Sequence, residues 1–570
     1  MSARPIERRV VPATVLPESL HPVLRRVYAA RGVSSAADLE LGLEQLLPVG
    51  TLDGIEAATE LLALHVGRGS RILIIGDYDA DGATASALMV RALQRLGHRE
   101  ADFLVPDRFR FGYGLTPEIV AVAATRTPAL IVTVDNGVAS TEGVVAARAL
   151  GIDVLITDHH LPGPTLPPAN AIVNPNLPGA RFGSRALAGV GVAYYVMLAL
   201  GRRLGAAIEP TRALIDLVAL GTIADVVPLD RNNRVLVAAG LKRIRAGQTL
   251  PGIAALAAIA GKPLAAVGSQ ELGFLIAPRL NAAGRLEDMA IGIRCLLTDD
   301  AGEAEALAQR LDQLNSERRV IEARMQGEAL AIVATLNFDA PGVTRPAALS
   351  LYDPAWHPGV VGLVAARVKE QLHRPVIAFA AAEGGLARGS ARSVPGVHIR
   401  DVLEAVHTRC PGLIERFGGH AMAAGLTLAS ARLKEFGTEF ALEVGRRAEP
   451  ALLSGTLLTD GPLTPAELNL ATAEALRQGG PWGAGFAEPC FDGEFVVVES
   501  RVLGGRHLKL WVRSEPCAVP VEAIAFGWVA RPKALVPRAG EQVRLVYRPD
   551  VNDYQGRTQL QLRLEHLERA

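Results

Sequence analysis

The chain is poor in the features that would assign it by composition. Four cysteines in 570 residues, Cys295, Cys410, Cys490 and Cys517, stand far apart with no C-x-x-C pair, which argues against a zinc ribbon or a disulfide framework and for buried, reduced thiols. Aromatic residues are few, at 5%. No apolar run reaches the roughly 18 residues of a membrane span, and the stretch 254–260 is closed at once by Gly261, Lys262 and Pro263. Residues 1–14 carry Arg4, Arg8 and Arg9 but no apolar core or small-residue cleavage site, so a secretory signal is not expected and a cytoplasmic location is. Net charge is also missing: 59 Lys plus Arg balance 59 Asp plus Glu, so any nucleic-acid footprint must be local. There is no P-loop, no G-x-S-x-G elbow and no G-x-G-x-x-G after a strand, and readings as a nucleoside-triphosphatase, serine hydrolase or dinucleotide enzyme lose support.

What remains is a chain of ordinary globular composition, 49% hydrophobic and 21% charged, long enough for about three or four domains. From 71 to about 220, β-branched runs (71–75, 102–105, 129–134 and 154–156) alternate with helical stretches (83–96, 117–124 and 141–150), the pattern of a parallel sheet covered by helices. A long charged stretch, 301–335, predicts a connecting helix. A second α/β segment follows, with strands at 347–352 and 376–380 around a helix at 360–371. Its glycine-rich stretches 383–392 and 417–425 would let backbone approach an anion. Beyond 454, five short alternating runs predict a small OB-like barrel, and 12 Lys plus Arg against 7 Asp plus Glu in 501–570 give it a local basic surplus.

The chemistry concentrates at strand ends. The first strand runs into Gly76-Asp77-Tyr78-Asp79-Ala80-Asp81-Gly82, three carboxylates in five positions, a crowding that bound divalent cations would relieve. An EF-hand is rejected because Leu88 stands where its final Glu belongs. The third strand ends in Asp135-Asn136-Gly137 and the fourth in Asp158-His159-His160, and Asp225 interrupts an apolar sequence as the remaining acid. Asp77, Asp79, Asp135 and Asp225 with His159 and His160 suit two Mn²⁺ or Mg²⁺ ions, whose charges balance the four carboxylates. Such a pair stabilises both the attacking and the leaving oxygen of an in-line phosphoryl displacement, which points to phosphodiester hydrolysis.

These motifs, with Val105-Pro106-Asp107-Arg108, Gly112-Tyr113-Gly114, the run from Pro278 to Arg285, the run from Trp356 to Gly362, Gly418-Gly419-His420 and Ala423-Ala424-Gly425, resemble the DHH phosphoesterase superfamily, and within it the single-strand-specific 5′→3′ exodeoxyribonucleases. The resemblance implies an α/β multidomain protein: an N-terminal helical extension (1–50), a parallel-sheet DHH domain (51–300), a connecting helix (301–340), a DHH-associated domain (341–450) and an OB fold (451–570). It implies the six metal ligands named above and a catalytic set of Asp79, Asp81, Asp158, His159 and His160, in which Asp81 and Asp158 orient the ligating groups. Substrate phosphates would meet Arg108, Arg279, His357, Arg388, Ser390, Arg392, Gly418, Gly419 and His420. Tyr78, Phe109, Phe111 and Tyr113 are candidates either to stack on bases or to form core or wall of the site, and in the barrel Trp511 and Trp528 are stacking platforms only if they face solvent.

The expected activity is release of 5′-mononucleotides from single-stranded DNA in recombination and repair, by a monomer. A single-strand-binding protein and a RecQ-type helicase are the expected partners, although no motif demonstrates either. Two alternatives stay open, a DHH enzyme acting on cyclic dinucleotides or short oligonucleotides and a non-catalytic Cdc45-like DNA scaffold. The OB-like tail argues against the first, and the six retained ligand positions against the second.

Overall fold

The computed structural model describes residues 4–107, 111, 113–336, 345–514, 519–531, 534–554 and 557–570. They form two compact units. One comprises Glu40–Val320 with Pro481–Ala487; the other comprises the residues up to Leu39, Ile321–Gly480 and Glu488–Ala570. The chain passes from the first to the second inside a single 35-residue helix, Ala301–Thr335, over the stretch where the charged periodicity predicts one.

The first unit is built on a five-stranded parallel sheet. Its spatial order is Ala101–Leu104, Ile72–Gly76, Leu130–Val134, Asp153–Thr157, Ala171–Val173. The second and third of these are buried at every position, as near-continuous Ile, Leu and Val runs in a helix-covered sheet should be. On one face Leu73, Ile75, Ile131, Val154 and Ile156 pack with Ile119, Val120 and Val144 from the two flanking helices. Each such side chain contributes about 1.5–3 kcal/mol on burial. The helix after the first strand starts at Ala80, three residues earlier than its apolar pattern indicates, because the Asp79 carboxylate caps it. The fifth strand, Ala171–Val173, is too short for its pattern to stand out.

The second unit holds a sheet and a barrel. The sheet runs in the order Arg416–Gly419, Ala423–Ala429, Leu386–Arg392, Val376–Ala382, Leu349–Tyr352, antiparallel except for its last pair. The glycine-rich stretches 383–392 and 417–425 fall mostly in strands of this sheet. Phe379 stands edge-on to Phe436, which stacks on Phe440, at the centre of its core. The barrel closes through Phe491–Leu503, His507–Arg513, Val521–Ala525, Arg557–Arg569 and Gln542–Tyr554.

The N-terminal segment contains a short strand, Ile6–Arg8, paired in parallel with Leu457–Thr459, as well as the helix Pro22–Ala29. Arg8 and Arg31 tie it to Asp492 and Asp460. Cys295 is buried and Cys410 and Cys490 are half-buried, all as free thiols, while Cys517 lies outside the described residues. Among the described residues, no helix is long and apolar enough to cross a membrane.

Candidate metal centre

Three neighbouring strands of the parallel sheet end in register. Gly76 pairs with Val134 and Val134 with Thr157, so the next residues, Asp77, Asp135 and Asp158, leave the sheet side by side. The strand order reverses between Ile72–Gly76 and Leu130–Val134, where a doubly wound sheet opens its ligand crevice.

The carboxylates then divide by what they hold. Asp79 Oδ1 accepts from the amides of Asp81 and Gly82, at 2.9 and 3.1 Å. Asp81 is 1% exposed and accepts from the Gly189 and Val190 amides, at 2.6 and 3.0 Å, which fastens the start of the helix Gly189–Arg203 to the site. Asp158 accepts from the amides of Val138, His159 and His160, and its Oδ1 lies 2.7 Å from His160 Nδ1. An ionised carboxylate at that distance makes Nδ1 the protonated nitrogen.

Asp135, His159 and Asp225 converge. His159 Nε2 is 3.0 Å from Asp135 Oδ1 and 3.5 Å from Asp225 Oδ2. Both of those oxygens are buried with no hydrogen-bond donor among the described residues. Three overlapping groups, Asp135-His159-His160, Asp81-His159-Asp225 and Asp77-Asp79-Asp135, each bring one ligand atom per residue within 4.8 Å of the others. All six expected metal ligands are thus gathered. Asp81 joins one of these groups while its carboxylate also accepts the two amide bonds from Gly189 and Val190.

Burial, then repulsion from Asp81, Asp79 and Asp77, pushes Asp135 well above the usual carboxylate range. Asp225 rises well above it too, by burial and the same acids, and Asp81 rises to about 7 by burial and the Asp79 charge. Asp158 goes the other way: burial alone would raise it, but the His160 charge and hydrogen bond bring it down to about 2. Burial would lower His160, and Asp158 instead lifts it to about 9. A cluster that cannot ionise fully by itself, with acceptor atoms facing one another, fits hard divalent cations.

Backbone strain is stored at the same place. Asp135 has φ of 62°, and so does Val226, the β-branched residue after Asp225. Non-glycine residues rarely adopt this left-handed conformation, and at functional sites the surroundings impose it.

Sequence reasoning missed Asn174 and Asn176 and gave no role to Asn136 and Asn281, four asparagines that hold the centre. Asn176 donates to the His159 carbonyl at 2.6 Å and Asn174 to that of His160 at 2.9 Å. Asn136 bridges the carbonyls of Ile75 and Val134, and Asn281 accepts from the Ala80 amide at 2.8 Å. The motif containing Asn281 also supplies Gly284, where an added Cβ would stand 1.9 Å from the Tyr78 carbonyl oxygen. The signal for the first pair was Asn174-Pro175-Asn176 directly after a β-branched run.

Three stretches of the chain match known domain families: residues 71–222 the DHH family, N-terminal domain, residues 345–444 the DHHA1 domain, and residues 459–566 the RecJ OB domain. The chain is 48% identical to the single-stranded-DNA-specific exonuclease RecJ of Escherichia coli over 573 residues, covering 99% of this chain and 98% of that one. The chain belongs to the RecJ family. RecJ of Dickeya dadantii is 50% identical over 574 residues, with the same coverage. The solved structure of RecJ from Thermus thermophilus in complex with Mn²⁺ matches with a TM-score of 0.81 at 31% identity, over 100% of this chain and 80% of that one.

The DHHA1 part of this chain gathers most of the residues expected to hold phosphate. Arg388, Ser390 and Arg392 alternate outward along one strand. Ser390 pairs with Gly425 and Gly425 with Gly418, and an added Cβ on either glycine would meet open space, so the row beside Ser390 is bare backbone. Arg392 Nη1 donates to Ser390 Oγ at 3.0 Å, and both side chains crowd Gly362 in the first turn of the helix Val361–Leu372. His357, just before that helix, accepts the Gly359 amide on Nδ1. The His420 amide donates to the Ala423 carbonyl, which closes the turn after Gly419.

The remaining expected residues lie in other surroundings. Arg279 is an internal fastener: it pairs with Asp312 at 2.8 Å and donates to the Leu275 carbonyl. Trp528 is 5% exposed and donates to the Leu535 carbonyl, so it is barrel core and no stacking platform. Trp511 is half-buried, with Lys509 and Arg501 over its ring at 4.8 and 5.3 Å. Much of the barrel's basic surplus is locally paired, Arg548 and Arg563 with Glu488, Arg544 with Asp492, and Lys509 with Glu522. Phe111 packs on the sheet core. Tyr113 stands edge-on to Tyr78 and His160, its hydroxyl 3.2 Å from the Asp135 carbonyl, a wall of the centre. Arg108, Phe109 and Gly112 lie outside the described residues.

Proposed function

We propose that this chain is a metal-dependent, single-stranded-DNA-specific exonuclease that works 5′→3′ and releases 5′-mononucleotides in DNA recombination and repair. The observation that carries the reading is the register of three strand ends, which lines up Asp77, Asp135 and Asp158 beside His159 in a chain similar to RecJ over its whole length.

Asp77, Asp79, Asp135, His159, His160 and Asp225 would hold two Mn²⁺ or Mg²⁺ ions. Bound there, such ions supply an activated water and neutralise charge on the phosphodiester. The chain's own residues do the rest. Asp81 and Asp158 orient the ligands through the helix start at Gly189 and through His160 Nδ1. Asp158 holds the Nδ1–H of His160, which leaves Nε2 as that ring's ligand atom. Arg388, Arg392 and Ser390 offer forked and hydroxyl donors to phosphates, while Gly418, Gly419 and His420 provide close backbone approach and His357 positions the strand. Trp511, framed by two cations, offers the barrel's stacking surface.

The division into segments 1–50, 51–300, 301–340, 341–450 and 451–570 belongs to the same proposal. So do a monomeric state, a cytoplasmic location, and a single-strand-binding protein and a RecQ-type helicase as partners. The test is a nuclease assay in Mn²⁺ on 5′- and 3′-labelled single strands, duplex, RNA and a dinucleotide. Prompt release of labelled mononucleotide from the 5′-labelled single strand alone is the expected result. Activity confined to the dinucleotide would replace the reading with a small-substrate phosphodiesterase, and Mn²⁺ binding without turnover would replace it with a scaffold.

A further inference from the structure

The segment Pro481–Ala487 lies in the chain between the helix Leu470–Gln478 and the barrel strand Phe491–Leu503, yet it groups with the unit that carries the metal centre. Within that unit it packs on the stretch that follows Asp225. The Leu229 amide donates to the Ala484 carbonyl at 2.7 Å. The loop is a tight hairpin, with the Gly483 amide donating to the Phe486 carbonyl at 3.0 Å and the Trp482 and Phe486 rings stacked at 5.1 Å and 10°. The guanidinium of Arg234, a residue 6% exposed, lies 4.3 Å over the Phe486 ring. Gly485, at φ of 70°, presses against Pro228: a Cβ there would stand 3.2 Å from the proline's own.

What lies under this loop is a strained turn. Asp225 ends the helix Ile215–Ala224, and the chain then reverses through Val226 at φ of 62° with its side chain 68% exposed. A β-branched residue held there is strained and persists only where its surroundings over-determine it. Val226 has almost no packing of its own, so the constraint comes from the far end of the turn. Asn233 Nδ2 donates to the Pro228 carbonyl at 2.9 Å, and the loop ties down Leu229.

We infer that the Pro481–Ala487 loop is a positioning element for Asp225, clamping the 225–229 turn in the conformation that aims the carboxylate at His159. The inference rests on the reading of Asp225 as a metal ligand. Its consequence is that one metal position is completed by a loop far beyond the last ligand in the chain.

The test uses full-length wild type, Phe486→Ala, Gly485→Ala and the conservative Phe486→Tyr. Mn²⁺ binding is measured without DNA by calorimetry and by electron paramagnetic resonance of free Mn²⁺, alongside the Mn²⁺ dependence of hydrolysis of a saturating single strand. Phe486→Ala and Gly485→Ala are expected to weaken one Mn²⁺ site about tenfold, the usual scale for removing an outer support of a metal ligand. The half-saturating Mn²⁺ concentration should rise in parallel, kcat at saturating Mn²⁺ should stay within about threefold, and Phe486→Tyr should restore the affinity. A purely structural loop would lower the melting temperature and leave the Mn²⁺ affinity of the folded protein unchanged, and that result overturns the inference. If Phe486→Ala does not fold, Gly485→Ala carries the same comparison. Failure of wild type to bind Mn²⁺ would remove the metal reading itself, whereas wild-type binding matched by both variants removes only the role of the loop.

Discussion

The strand-end centre and the outward face of Leu386–Arg392 both suit phosphate chemistry, and they are built on opposite principles. The first buries like charges together, with Asp135 and Asp225 held well above their ordinary range and two of their oxygens lacking donors among the described residues. The second leaves cations and bare glycine backbone open on a sheet surface. A buried cluster of one sign is useful only when complete, because removing a member changes every neighbour's charge state. An open surface works by separate contacts of modest size. The difference teaches that chemistry should fail all at once and substrate binding by degrees.

The sharpest way to break that contrast is Asp135→Ala. It should lower turnover at least ~1,000-fold, equivalent to about 4 kcal/mol of barrier, while single-strand binding stays measurable by anisotropy. Turnover within tenfold of wild type would remove the carboxylate from the mechanism.

Next comes the open face. Arg388→Ala combined with Arg392→Ala should raise KM for a single-stranded oligonucleotide roughly 10- to 100-fold, as expected for charge-assisted hydrogen bonds, with kcat changed far less. A fall in kcat with unaltered KM would move these arginines from binding to chemistry.

A smaller effect separates the barrel from both. Trp511→Ala should weaken affinity for long single strands about five- to tenfold, the lower range for loss of one stacking platform, with cleavage of short saturating substrates unchanged. Equal affinity on long strands would leave Trp511 a structural residue braced by Lys509 and Arg501.

A further effect falls on stability alone and leaves function untouched. Asp492 is buried, yet Arg8, Thr459 and Arg544 hold its pKa below the usual value. A depressed carboxylate contributes stability above its unfolded pKa of about 3.9, and loses it as pH falls through the folded value. Asp492→Asn should therefore cost about 2 kcal/mol at neutral pH and flatten the acid limb of the unfolding curve below about pH 4. An acid limb of unaltered slope would show that the pair adds nothing.

Local pattern was enough to expose much of this molecule. Residues 130–134 read as a buried strand and 301–335 as one long helix because apolar runs and unbroken helix formers declare themselves at short range. The acids at the strand ends stood out because crowded carboxylates beside a buried strand are costly unless something neutralises them. The glycine-rich stretches did not announce themselves as strands, since glycine weakens a strand's signal without forbidding the strand, and here neighbours on a sheet accept it. Arg279 and Trp528 misled because one sequence cannot tell an outward cation from a fastener, or an exposed ring from a buried one.

The sequence by itself determined which residues are the candidates for the chemistry, the alternation of strands and helices, and the order of sheet, helix, second sheet and barrel along the chain. Those are properties of local periodicity and side-chain type. Tertiary structure alone decided that Asp77, Asp135 and Asp158 stand abreast, since parallel register is set between strands far apart in sequence. It also decided that Asn174, Asn176 and Asn281 hold the centre's backbone and that Pro481–Ala487 closes over the turn beyond Asp225. Polar support of this kind is specified by which buried carbonyls and amides still need a partner once the chain is packed, and that need does not exist before folding.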